Sequence, residues 1–351
     1  MENNKNFIWA DTLRVFTTFF VILYHICCIY LDQYGKIPNK TWWFFCFCNT
    51  IVMCSVPVFV MLSGALILQK EYLLTDFLKK RFSRILLPFI FWSAVYIAFS
   101  ISNETSTGKY MSLYDVVLWS FDKLKFGAEY HLWFVYMIIG LYLFVPIISK
   151  WIKNTNENEI VYYLLIWGFW MLMEQPIMSY FKIDFHLIHF SGYLGYFILG
   201  YYLSIKDFNL NRFAINTISA LMILLGSTFA AFGIYQSVLS TSKANLYFQS
   251  NLNFHVLLIG SGLFLLYRFN PIKNKKIIKI ISFFSKYSFG IYLVHILTFK
   301  SFDTITFYFS YYIIDLDIIY RVPLLAIYSF LISTLMIYLV NKLPFGKYIS
   351  G

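Results

Sequence analysis

An arginine and a histidine stand 11 residues apart in the first apolar stretch of the chain, at Arg14 and His25 of Asp11-Thr-Leu-Arg-Val-Phe-Thr-Thr-Phe-Phe-Val-Ile-Leu-Tyr-His-Ile26. Both side chains are expensive inside a membrane helix, and ionisable groups kept there mark a functional site by default. At about 100° per residue, 11 steps return the chain to nearly the same face, with the two groups roughly 16 Å apart along the axis. An imidazole can take a proton from a hydroxyl as it attacks a carbonyl, and a guanidinium can stabilise a developing oxyanion or hold a phosphate.

Three further groupings carry chemistry-bearing residues. In Phe77-Leu-Lys-Lys-Arg-Phe-Ser-Arg-Ile85, four cations precede an apolar span. Such a cluster suits the headgroup region with no ligand at all. Arg81 and Arg84, however, are three apart and share a helix face, and the forked guanidinium suits phosphate recognition. In Glu129-Tyr-His-Leu-Trp-Phe134, Trp133 and Phe134 read as interfacial anchors, and His131 is the candidate for chemistry. In Ser288-Phe-Gly-Ile-Tyr-Leu-Val-His295, Ser288, Tyr292 and His295 recur at intervals of four and three, a polar stripe that should face the bundle interior. It suits interhelical hydrogen bonding as well as a site. His186 and His189 have no carboxylate or third histidine in register, and His255 has no visible partner, so no metal site is expected. The chain has no Walker motif, dinucleotide fingerprint or nucleophile elbow.

The elements that must position these groups are membrane helices. Of 351 residues, 60% are hydrophobic, 22% aromatic and 13% charged, and mean hydropathy is +0.66. These values exclude a soluble globular domain. Spans of roughly 20 residues fall near 12–31, 42–68, 85–102, 131–151, 160–176, 190–205, 213–236, 252–269, 279–299 and 320–341. With a cytoplasmic N-terminus, 17 lysines and arginines lie in inner segments and 9 in outer ones. That asymmetry favours an all-α polytopic protein of about ten transmembrane helices with both termini cytoplasmic. It also accounts for the net charge of +11 without nucleic acid. No cleavage signal follows the first span, which is expected to be retained. The tail after residue 341 is short, and no repeat or linker is visible, so 1–351 reads as a single transmembrane domain. Cys27, Cys28, Cys46, Cys48 and Cys54 read as buried membrane thiols rather than disulfides or zinc ligands. The outer stretch 103–130 suits a connector or an acceptor-facing surface.

Taken in order, Arg14 with His25, Arg81-Phe-Ser-Arg84, the Pro57-Val-Phe-Val-Met-Leu-Ser63-Gly64-Ala-Leu66 stretch, His131-Leu-Trp-Phe and Ser288-Phe-Gly-Ile-Tyr-Leu-Val-His295 resemble the acyltransferase-3 family of membrane acyltransferases. The match runs over most of the chain. It is most similar in plan to the short stand-alone O-acetyltransferases, such as those acting on enterobacterial common antigen. The resemblance implies transfer of an acyl group, usually acetyl, from cytoplasmic acetyl-CoA to a hydroxyl of a surface glycan or lipid-linked saccharide, in a bacterial cytoplasmic membrane. It implies His25 as the catalytic base, Arg14 as its support, and Arg81 and Arg84 as the coenzyme A phosphate ligands. Ser63, His131, Tyr292 and His295 are candidates for lining the site. Two other readings compete: an exporter of a lipid-linked saccharide, and the same fold using another donor such as succinyl-CoA. Transport of a neutral saccharide needs neither the inner arginine pair nor His25, which favours the enzyme. The acceptor and the oligomeric state are not legible.

Overall fold

The computed structural model describes residues 7–106, 112–175, 192–308 and 317–351. Among them are α-helices joined by short 3-10 turns and loops, and no strands. The helices are α1 (Ile8–Cys27), α2 (Asn39–Val52), α3 (Ser55–Ile67), α4 (Leu74–Ser106), α5 (Leu113–Phe126) and α6 (Trp133–Asn154). They continue as α7 (Glu157–Met173), α8 (Tyr193–Ile205), α9 (Arg212–Thr241), α10 (Phe254–Phe269), α11 (Lys275–Tyr308) and α12 (Ile318–Lys342). Eight helical segments among the described residues are long and apolar enough to cross a membrane. The shorter apolar α7 and α8 fall on the expected fifth and sixth spans. The chain is an all-α, multi-pass membrane protein.

Two of the expected elements differ in detail. The second apolar stretch is two helices, α2 and α3, separated at Met53–Cys54. Pro57 explains the break: it cannot donate to the Met53 carbonyl, and its ring crowds that oxygen. The outer stretch 103–130 contains α5, started by a capping box in which Ser112 and Asp115 satisfy each other's backbone N–H groups. The Ser112 hydrogen bonds hold the Asp115 carboxyl below its usual range. Leu113, Val117, Phe121 and Leu124 are exposed along one face of α5, as expected of a helix lying in the interfacial plane.

The chain divides into two compact units. The first comprises Met1–Glu71, Ile147–Lys286 and Phe309–Tyr328. Within it, α3 and α8 pack closely. A Cβ at Gly64 would fall on the Phe197 carbonyl, and a Cβ at Gly200 on the Met61 carbonyl. Small residues let backbones approach closely where lipid supplies no hydrophobic drive between helices. Elsewhere in this unit Trp42, Cys46, Ala231, Ile234 and Val238 join α2 to α9, and the Trp42 indole donates to the Leu31 carbonyl at 2.9 Å. Cys27, Cys46 and Cys54 are buried and all five cysteines are free.

The second unit comprises Tyr72–Pro146, Tyr287–Tyr308 and Ser329–Gly351. Its buried anchors are Trp92, which donates to the Ile349 carbonyl at 2.9 Å, and Tyr96, which donates to the Leu293 carbonyl at 3.0 Å. The C-terminal tail therefore packs back onto α4. Gly200→Leu should force α3 and α8 apart and cost about 1–3 kcal/mol; the check is thermal unfolding of the detergent-solubilised protein, where an unchanged midpoint would refute the close packing.

Candidate active site

In the first unit, Arg14 and His25 lie on one unbroken helix, α1. Asp11 stands one turn before Arg14, and its Oδ1 accepts from Arg14 Nη1 at 3.0 Å. Arg14 Nη1 also donates to Ser285 Oγ of α11 at 2.9 Å, and that hydroxyl donates to Asp11 Oδ1 at 2.7 Å. The three atoms close a triangle that fixes the guanidinium and ties α1 to α11. A carboxylate three residues away with a serine across the helix interface is a compact way to keep a cation in an apolar helix.

His25 is half-buried in the last turn of α1, just before the chain tightens into a 3-10 turn at Cys28–Gln33. Its backbone carbonyl accepts the Cys28 thiol at 3.3 Å, which helps close the helix end. The ring of Tyr24 meets that of His25 edge-on at 5.4 Å. Tyr193, at the start of α8, lies near Tyr24 and hydrogen-bonds the Asn251 side chain. Tyr196 donates to the Asn251 carbonyl at 3.0 Å. Tyr24, Tyr193 and Asn251 are thus polar groups gathered toward the His25 end of α1. Sequence reasoning passed over all three, because tyrosines in a membrane chain read as interfacial belts. Ser63 is half-buried on α3 of the same unit.

The other sequence-predicted residues lie in the second unit. Arg81 and Arg84 occupy the first turns of α4, half-buried and exposed respectively. The Arg81 guanidinium sits 5.8 Å from the Phe77 ring centre. Neither arginine has a carboxylate within ion-pair distance among the described residues. Lys79 and Lys80 are exposed beside them. The group is a cationic helix start that can meet an anionic ligand with both guanidinium forks.

His131, Tyr292 and His295 form one buried cluster, 2%, 5% and 1% exposed. The two imidazole rings meet at 4.8 Å, with Tyr96 and Tyr292 edge-on to His131 at 5.4 and 5.5 Å. His131 Nε2 lies 3.3 Å from the Leu293 carbonyl, His295 Nδ1 lies 2.7 Å from the Tyr292 carbonyl, and the Tyr292 hydroxyl donates to the His131 carbonyl. These bonds link the turn at Tyr130–Leu132 to α11. Beside them Lys300 Nζ pairs with Glu129 at 2.7 Å. The stripe read from Ser288, Tyr292 and His295 therefore does face the unit's interior, with Ser288 6% exposed.

His255 is buried on α10, its ring about 6 Å from those of Phe229 and Phe248. His186 and His189 lie outside the described residues. Among the described residues no cluster of three potential metal ligands occurs.

A family model described as an acyltransferase domain, that of acyltransferase-3, matches residues 7–339. The chain belongs to the acyltransferase-3 family. No curated protein and no solved structure matched it. The match spans nearly the whole chain, including every motif from Arg14 to His295, and makes the protein a membrane acyltransferase.

The Arg14 triangle makes a testable demand on stability. Ser285→Ala should cost about 1 kcal/mol and Asp11→Ala more, because it removes the carboxylate that the guanidinium contacts at 3.0 Å. The Asp11→Ala/Ser285→Ala double variant should lose less than the sum of the two, since both remove the same oxygen-lined seat. Additive losses in unfolding midpoints would show that the two do not share the guanidinium.

Proposed function

We infer that the protein is an O-acetyltransferase of a bacterial cytoplasmic membrane, moving acetyl from cytoplasmic acetyl-CoA to a hydroxyl of a cell-surface glycan or its lipid-linked precursor. The observation that carries the reading is the acyltransferase-3 match over 7–339, within which the only arginine and histidine of α1 occur on one continuous helix. Acyl transfer from a thioester to an alcohol needs a proton acceptor near the attacking oxygen and cations for the donor's phosphates. His25, Arg81 and Arg84 are residue types suited to those tasks.

In the reaction proposed, His25 takes the proton of the acceptor hydroxyl as the oxygen attacks the thioester carbonyl. The carbon–sulfur bond then breaks, and the imidazolium returns the proton to the departing coenzyme A thiolate. The products are an acetate ester and free coenzyme A, with no net proton taken up. Arg81 and Arg84 hold phosphates of the donor. Arg14 lies about three helical turns from His25, so it supports the site as an oriented positive charge on the same helix rather than by touching the imidazole.

Three variants test these assignments in vesicle-reconstituted protein given labelled acetyl-CoA and acceptor. His25→Ala should lower acetyl transfer by about 10²–10⁴ while leaving the amount of protein in the membrane unchanged. Retained activity would remove His25 from the mechanism. Arg81→Ala and Arg84→Ala should each raise KM for acetyl-CoA about tenfold, and Arg81→Lys should recover only part of it because lysine lacks the fork. Comparison of ester-linked acyl groups on surface glycans from cells with and without the protein identifies the acceptor. The added mass distinguishes acetyl from succinyl.

A further inference from the structure

A groove of about 720 Å³ runs along the C-terminal half of α9 and the loop that follows it, entirely within the first unit. Its floor changes character along the helix. Phe229 and Phe232, 47% and 57% exposed, lead to Gln236, Ser240 and Thr241 on the following turns. Phe229, Phe232, Gln236 and Ser240 advance by three and four residues and so share a face, with Thr241 beside Ser240 at the helix end. Lys243 stands at the polar end. The arrangement runs from bare aromatic rings to amide, hydroxyl and cation over about three turns of helix.

The opposite wall is built by the loop after α9, and it is fastened at several points. The Ala244 N–H donates to Asp32 at 2.7 Å, and the Asn245 N–H donates to Ser237 Oγ at 3.0 Å. Phe248 lies against Gly233, where a Cβ would strike the ring, so the glycine is what lets the loop close onto the helix. Behind it, buried His255 packs on Phe229 and Phe248. The groove is therefore a shaped feature with a fixed back wall rather than a gap between mobile parts.

We propose that this groove binds the acceptor as a lipid-linked saccharide, with the apolar chain along Phe229 and Phe232 and the headgroup, its anionic linkage and first sugar together, among Gln236, Ser240, Thr241 and the flexible Lys243 side chain. The assignment rests on the acetyltransferase reading above, which requires a glycan hydroxyl. Three observations select this occupant. An exposed aromatic surface in continuous contact with polar groups suits an amphiphile, which neither a free sugar nor a plain hydrocarbon matches. Ser240 and Thr241 donate their hydroxyl protons to the Ser237 carbonyl, leaving their oxygens as acceptors for sugar hydroxyls, and the neighbouring Gln236 adds an amide that both donates and accepts. Lys243 has no carboxylate within ion-pair distance among the described residues, so an anion is the missing complement. Asp32, in the 3-10 turn after α1, is turned toward the Ala244 N–H rather than ion-paired with Lys243. The lysine and arginine distribution places this end of α9 on the outer side, where a surface glycan is built.

The test uses the full chain in nanodiscs of phosphatidylcholine, with a radiolabelled polyprenyl-diphosphate-linked N-acetylhexosamine as probe. Saturable binding is expected. Lys243→Glu should weaken it about tenfold or more and Lys243→Arg should not. Gln236→Ala should weaken binding of the probe but not of the sugar-free polyprenyl diphosphate. Gly233→Leu should abolish binding by displacing Phe248, and if that variant fails to fold, the exposed Lys243 and Gln236 substitutions carry the test. Equal binding by Lys243→Glu and Gln236→Ala overturns the proposal. So does displacement of the probe by phosphatidylglycerol at equal concentration, which would make the groove a general anionic-lipid site. Labelled acetyl transfer by the unaltered protein is scored separately. Transfer with groove-independent binding rejects the groove alone; groove-dependent binding with no transfer to any glycan rejects the catalytic reading and leaves a lipid-saccharide site.

Discussion

A guanidinium in an apolar helix has to be neutralised where it stands, and the contact of α1 with the first-unit end of α11 answers that constraint. Arg14 is held by Asp11 on its own helix and by Ser285 from α11, and the serine in turn donates to the same carboxylate oxygen. Each of the three groups would be costly alone in hydrocarbon, and removal of one partner leaves the others exposed to that cost. The triangle thus does more than tolerate a charge. It fastens the first half of α1 to the first-unit end of α11.

The two buried histidines of the second unit show a contrasting use of polar groups. His131 and His295 each place a ring nitrogen against a carbonyl of α11, and Tyr292 returns a hydrogen bond to the His131 carbonyl. Such reciprocal bonds join a 3-10 turn to a neighbouring helix, which is a packing task that polar residues perform well in lipid. The same contacts fix the imidazole planes and give the cluster a defined tautomer preference, with Nδ1–H of His295 directed along its own helix. A positional role for this pair is what the geometry supports most directly.

Much of this was readable from the chain alone. Apolar length located most of the helices, and the four-and-three spacing of Ser288, Tyr292 and His295 identified an inward face; the break between α2 and α3 inside the single expected span 42–68 was not legible in that length, although Pro57 supplies its cause. The hidden parts share a cause: they depend on residues far apart in sequence. Ser285 is 271 residues from Arg14, and nothing in either local pattern announces the other. α5 was hidden differently, since an amphipathic helix in an outer stretch has the mixed composition of a connector. Only its capping box and its exposed apolar face together separate the two.

The position of His25 follows from a second physical limit on membrane chains. Within the hydrocarbon region a helix interior has all its backbone groups satisfied and little room for a ligand, whereas a helix end must find new partners for its last carbonyls. α1 ends immediately after His25, its carbonyls are taken up by a tightened 3-10 turn and the Cys28 thiol, and the chain narrows there without becoming irregular. A side chain at such a transition projects where the helix no longer shields it. Tyr24, Tyr193 and Asn251 supply polar surfaces nearby. An imidazole one turn earlier would be flanked by apolar neighbours, and one turn later it would leave the regular helix that carries Arg14.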